Sequence, residues 1–131
     1  MILLLSSEPM VRAVLKDVLE RAGHVVFATG NLGTAVEALA EYRIELLMTH
    51  PYVDNITGFD AAKYLRSKNP HMGILIVTGF LDDDRLQYPG LEGFDIFPPP
   101  YDAAPLIKKV EAVLKALRQR GTQHKSTSGG R

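Results

Sequence analysis

The sequence predicts an α/β domain with a parallel sheet covered on both faces. Three observations predict it. Short continuous apolar runs, such as Ile2-Leu3-Leu4-Leu5 and Ile74-Leu75-Ile76-Val77, are what strands buried on both faces require. Amphipathic stripes at helical spacing separate those runs. The two patterns alternate through 131 residues, a length that suits one domain.

Each element follows in order. After the first run, Ser6-Ser7-Glu8-Pro9 offers hydroxyl N-caps, an early acid and a first-turn proline, all helix-start signals. Met10, Val11, Val14, Leu15, Val18 and Leu19 then repeat at helical spacing. Gly23 stands where a helix end favours a residue that tolerates positive φ. His24-Val25-Val26-Phe27-Ala28 reads as a second strand, Thr29-Gly30-Asn31 as a turn, and Leu32, Ala35, Val36 and Leu39 as a second helix. Ile44 to Thr49 forms a third strand, and His50 to Gly58 a loop. Phe59, Ala62 and Leu65 begin a third helix that Asn69-Pro70 ends. Ile74–Val77 is the fourth strand. Asp82-Asp83-Asp84 opens a short helix cut by Pro89-Gly90, since acids favour the positive end of the helix dipole. Phe94 to Phe97 gives a fifth strand, and Leu106, Ile107, Val110, Val113, Leu114 and Leu117 the cleanest amphipathic helix. The domain is expected over 1–119, with a flexible tail at 120–131 that has nothing to bury.

Composition removes whole function classes. No cysteine is present, so disulfides, thiolate metal sites and cysteine nucleophiles are excluded. Lys plus Arg number 15 and Asp plus Glu number 15, a balance that argues against a general nucleic-acid binder. No apolar run approaches the ~20 residues of a membrane span. Met1–Leu5 lacks the features of a signal peptide, so a cytoplasmic location is expected. The four histidines are scattered and no nucleophile–base pair is recognisable, which argues against an enzyme. In a doubly wound sheet of order 2-1-3-4-5, ligands collect beyond the carboxyl ends of strands 1 and 3. Ser6, Ser7 and His50 fall there, with Thr78 close by.

Those residues carry a resemblance. Residues 1 to about 118 resemble a bacterial two-component response-regulator receiver domain, with its flavodoxin-like (βα)5 sandwich. Leu5-Ser6-Ser7-Glu8-Pro9-Met10-Val11-Arg12 resembles the family's first strand end, acidic pair and helix start. Glu45 to His50 resembles the strand ending in the phosphoryl-accepting Asp, and Asp54 to Gly58 the loop after it. Ile76-Val77-Thr78-Gly79 resembles the strand ending in the switch hydroxyl. Pro98 to Asp102 resembles the fifth loop, where the family has Lys-Pro-Phe.

The departures are as informative as the match. The family's two metal-binding acids fall on Ser6 and Ser7, its acceptor Asp on His50 and its Lys on Pro99; Thr78 alone is kept. Three acids and a Lys would carry net −2, whereas these four positions carry zero, or +1 with His50 protonated. Phosphoryl transfer needs a carboxylate nucleophile and Mg²⁺ to gather charge. Mg²⁺ in turn needs carboxylate anchors, so its binding is expected to be weak or absent and no cofactor is implied. Glu8 and Asp54 are neighbouring acids, Glu8 at a helix start and Asp54 in turn chemistry. The two serines at a helix start would suit an oxyanion, the more so with His50 protonated.

The resemblance with these departures implies a stand-alone signalling module acting by phosphorylation-independent protein–protein interaction. Its partner would be a histidine kinase or an output protein, with homodimers as a further option and no nucleic acid or membrane. The implied docking face carries Ile96, Phe97, Tyr101, Lys108 and Lys109, with Ile96 or Phe97 near the family's switch aromatic. The Pro99–Pro100 bond is a candidate cis peptide. An active phosphorelay receiver with Asp54 or His50 as acceptor is the alternative. A flavin or nucleotide binder is more remote, since no glycine-rich phosphate loop exists.

Overall fold

The structure is a computed structural model describing residues 1–50, 52–53, 56–77, 95–97 and 102–129, with the backbone alone at 52–53, 56–59, 96 and 120–129. Its elements run β1 (Ile2–Leu5), α1 (Pro9–Arg21), β2 (Val26–Thr29), α2 (Leu32–Glu41), β3 (Leu46–Thr49), β4 (Tyr52–Val53), β5 (Ile56–Thr57), α3 (Gly58–Lys68), β6 (Gly73–Val77), β7 (Asp95–Phe97) and α4 (Ala103–Gly129). Five strands form one parallel sheet in the order β2-β1-β3-β6-β7, the predicted doubly wound order.

The period-2 geometry of strands explains why the apolar runs are unbroken. Leu3, Leu5, Leu47, Ile74 and Ile76 point to one face, where α2 supplies Ala35 and Ala38 and α3 supplies Ala61, Ala62 and Leu65. Ile2, Leu4, Leu46, Met48, Leu75 and Val77 point to the other, where α1 supplies Leu15 and Leu19 and α4 supplies Leu106, Val110, Val113 and Leu114. Every residue of β1, β3 and β6 is buried. Burying a large aliphatic side chain stabilises by roughly 1.5–3 kcal/mol, so two such layers offset the cost of ordering the backbone without disulfides.

The turns obey local chemistry. Gly23 follows α1 with φ +96°, a conformation that L side chains rarely adopt. Asn31 caps α2, its side-chain oxygen accepting from the Thr34 amide at 3.0 Å.

Several boundaries differ from the sequence reading. The second strand is Val26–Thr29 rather than 24–28, and the third starts at Leu46 rather than Ile44. Val25 is exposed, so strand propensity there finds no apolar layer to join. Within the expected loop 50–58, Tyr52 and Val53 pair antiparallel with Thr57 and Ile56. The N-cap of α1 is Glu8, not a serine, and its side chain makes no cap bond. The last helix continues to Gly129, past the boundary expected at 119. Residues 120–129 contain no proline, and each added helical residue adds a backbone hydrogen bond. The helix expected near Asp82-Asp83-Asp84 lies outside the described residues.

Candidate functional site

The site lies where the parallel register brings the carboxyl ends of β1 and β3 together. Leu5 pairs with Thr49, so Ser6 and His50 leave the sheet side by side. Thr49 pairs in turn with Ile76, which sets the end of β6 beside His50.

Ser6 is fully buried, and its polar groups are engaged by the chain itself. Its amide donates to the Thr29 carbonyl at 3.0 Å. Its hydroxyl oxygen accepts from the Glu8 amide at 3.3 Å, and its carbonyl accepts from Arg12 Nη1 at 2.6 Å. Ser6 thus serves the start of α1 from two residues before the N-cap, satisfying a donor that Glu8's own side chain leaves alone. Ser7 and Glu8 are exposed on the same edge. Thr49 is fully buried and donates its hydroxyl to the His50 carbonyl at 3.2 Å.

His50 is half-buried, and its Nδ1 is inaccessible to water. Burial pushes the imidazole pKa below the ordinary histidine value, and the nearby Glu8 carboxylate opposes that shift. Neutral imidazole is therefore the form this pocket favours near pH 7.

Arg12 and Gly30 belong to the site although sequence reasoning did not single them out. A Cβ on Gly30 would stand 2.6 Å from Arg12 Nη1 and 3.0 Å from the Ser6 carbonyl. The missing side chain at Gly30 is the space through which the guanidinium reaches β1.

The donor set fits Mg²⁺ poorly. A hard divalent ion wants carboxylates in octahedral geometry. Here the buried hydroxyl is neutral and hydrogen-bonded, and a permanent cation, Arg12, sits at the end of β1. Among the described residues no group of three His, Asp or Glu could hold a metal.

The other expected positions separate. Asp54, Thr78, Pro99, Pro100 and Tyr101 lie outside the described residues. Of the expected docking face, Ile96 lies in β7 in register with Ile76. Phe97 is half-buried and packs on the α1/α4 side of the core. Lys109 Nζ lies 3.2 Å from Asp95 Oδ1, and Lys108 is exposed.

Comparison with known proteins agrees with this geometry. The model for the response regulator receiver domain matches residues 2–111. The chain belongs to the response regulator receiver domain family. It is 25% identical over 118 residues to the DNA-binding transcriptional regulator NtrC of Azospirillum brasilense, covering 88% of this chain and 24% of that protein. It is 32% identical over 79 residues to the response regulator receiver protein CpdR of Brucella abortus, covering 60% of this chain and 66% of that protein. The receiver thus spans about a quarter of the NtrC relative. Among solved structures, a response regulator receiver domain protein from Clostridium thermocellum superposes with a TM-score of 0.75 at 21% identity, covering 93% of this chain and 96% of that one. Receiver domains are signalling modules that work with histidine kinases and output domains in two-component systems. No helix among the described residues is long and apolar enough to cross a membrane.

Proposed function

We propose that this receiver acts in signal transduction by protein–protein interaction without being phosphorylated. The observation that supports the reading most is the pair at the ends of β1 and β3. By resemblance to the family, an acidic metal ligand and the acceptor Asp belong there. This chain has Ser6, buried and bound to its own backbone, and His50, biased towards the neutral imidazole. Neither supplies an anionic oxygen as nucleophile, and Arg12 supplies in cis a cationic contact at the strand end. A scaffold retained around an altered pocket is suited to holding one surface in a fixed state for a cytoplasmic signalling partner, with no catalysis of its own.

The test is incubation of the full chain with acetyl phosphate and Mg²⁺, read by intact mass and amide NMR shifts. The expected result is an unchanged mass and no Mg²⁺-dependent shifts at the ends of β1 and β3. A stoichiometric phospho-adduct would overturn the reading, and mapping it to Asp54 or His50 would establish the alternative acceptor.

A further inference from the structure

β2 ends the sheet, with β1 on one side and no strand on the other among the described residues. Its register with β1 fixes which backbone groups face outward. The Ile2 amide donates to the Val25 carbonyl at 2.8 Å, and the Ser6 amide to the Thr29 carbonyl at 3.0 Å. Backbone direction alternates along a strand, so Val25, Phe27 and Thr29 turn their backbone groups towards β1. Val26 and Ala28, in register with Ile2 and Leu4, turn theirs outward. Their N–H and C=O groups find no backbone partner among the described residues.

Sheet edges are ordinarily blunted by Lys, Pro, inward-pointing charges or a bulge. His24 to Gly30 contain no Lys, Arg, Asp, Glu or Pro. On the α2 side of this edge Val25 is 63% exposed. Phe27 lies with its ring centroid 5.7 Å from that of Tyr42, itself 41% exposed. Glu41 and Arg43 flank Tyr42, both exposed, and neither makes an ion pair among the described residues. Glu45 nearby is already held by Arg118, with Arg43 a lesser influence. The chain leaves α2 at Glu41 and heads for the amino ends of β1 and β3. Glu41 therefore lies nearer the carboxyl end of the sheet than Arg43.

We propose that the β2 edge pairs antiparallel with the β2 edge of a second copy of this chain, about a twofold axis at Phe27. That register satisfies all four outward groups of each copy, because Val26 meets Ala28 of the second copy and Ala28 meets its Val26 in hydrogen-bonded pairs. The two Phe27 side chains then face each other as a cross-strand aromatic pair, with Val25 opposite Thr29 of the second copy. Charge complementarity selects a second copy over an unrelated strand. A twofold axis reverses the ends of the sheet, so Glu41 of each copy faces Arg43 of the other. The proposal uses no residue of the pocket at the ends of β1 and β3, and it stands apart from the phosphorylation reading.

The experiment is sedimentation velocity of the full chain over about 1–500 µM, a range that brackets weak self-association. A monomer–dimer equilibrium is expected, with the dimer growing with concentration. Val25→Lys changes an exposed side chain, so the fold should be retained by far-UV circular dichroism, while the charge set on the edge should weaken the dimer at least about tenfold. E41K and R43E should each weaken it at least about threefold by setting like charges opposite each other. E41K/R43E exchanges the two signs and should return to within about twofold of the parent. Met10→Lys alters an exposed apolar side chain of α1 and should dimerise like the parent. A monomer throughout, a dimer indifferent to Val25→Lys, a charge exchange that fails to restore association, or a dimer lost in Met10→Lys would each overturn the proposal.

Discussion

The Arg12 guanidinium reaches back to the Ser6 carbonyl at 2.6 Å and passes through the space that Gly30 leaves open. One side chain thereby ties the start of α1 to the ends of β1 and β2. A charge-assisted bond of this kind is shorter and stronger than a neutral one. It also sets a cation at the edge where the sheet would otherwise gather ligands.

Gly30→Ala tests that tie. The new Cβ would meet a flexible guanidinium at 2.6 Å, which can move, and the Ser6 carbonyl oxygen at 3.0 Å, which belongs to the sheet. A loss of about 1–2 kcal/mol in urea unfolding is expected, within the range for overpacking. Arg12→Ala should cost about 1–2 kcal/mol by leaving the Ser6 carbonyl short of a donor. The two losses should not add, because without the guanidinium the new methyl meets one obstacle fewer. Full additivity in the double mutant would show that Gly30 and Arg12 do not share this space.

His50 makes stability depend on pH with a definite sign. Its folded pKa lies below the ordinary histidine value because burial disfavours the imidazolium. The unfolded chain therefore takes up its proton first as pH falls. The stabilisation is complete above the unfolded pKa and is lost progressively below it, until pH reaches the folded pKa. The slope from this group cannot exceed about 1.4 kcal/mol per pH unit. His50→Gln should flatten the stability curve below neutrality, measured by urea midpoints from pH 7 downwards. Glu8→Gln should lower the His50 titration midpoint in NMR, because the Glu8 carboxylate supports the charged ring. An unchanged pH slope in His50→Gln would remove the imidazole from the account.

The fold was legible because burial on two faces writes itself into uninterrupted runs. Ile2–Leu5 needs no alternation when Leu3 and Leu5 serve one layer and Ile2 and Leu4 the other. The carboxyl-edge cluster was legible too, since strand order alone places Ser6 beside His50. Arg12 was not. Its role depends on an absent side chain in a different loop and on a backbone acceptor, and neither leaves a pattern in the residues around it. The Ser6 cap escaped for a related reason. A hydroxyl usually caps from the N-cap position itself, whereas here it acts from two residues upstream, with Glu8 holding the cap backbone. Lys109 shows the opposite failure. The resemblance assigns it to a docking face, but Asp95 at the start of β7 brings its ammonium to 3.2 Å.

Glu45 joins three parts of the chain. Arg118 of α4 donates to both its oxygens at 3.3 and 3.4 Å, and the N-terminal ammonium lies 3.8 Å away. The Arg118 hydrogen bond is the main cause that lowers its pKa, partly opposed by burial. Stability from this group is present above the unfolded pKa near 4.5 and is lost as pH falls through the folded value. The pair is largely exposed, so Arg118→Gln should cost no more than about 0.5 kcal/mol, and less at high salt. The Glu45 carboxyl should titrate at higher pH in that variant by side-chain NMR. An unmoved Glu45 midpoint would contradict the pairing.

Gly73 opens β6 in the middle of the sheet, and a Cβ there would meet the Leu117 side chain of α4 at 2.5 Å. That is closer than two carbons can approach, so Leu117 must shift or α4 must lift from the sheet. Leu117 is half-buried and packs on the core layer formed by β1, β3, β6, α1 and α4, so its movement is resisted by neighbours rather than by water. Gly73→Ala should therefore destabilise by about 1–3 kcal/mol, the cost of inserting a methyl into a filled core. Leu117→Ala alone should lose about 1–2 kcal/mol, less than a fully buried leucine because part of the side chain already meets water. Combined, Gly73→Ala and Leu117→Ala should cost clearly less than the sum of the singles, since the new methyl takes up space that the shortened side chain vacates. A double mutant as unstable as the sum would mean that the strain at Gly73 falls on the strand itself and not on the last helix.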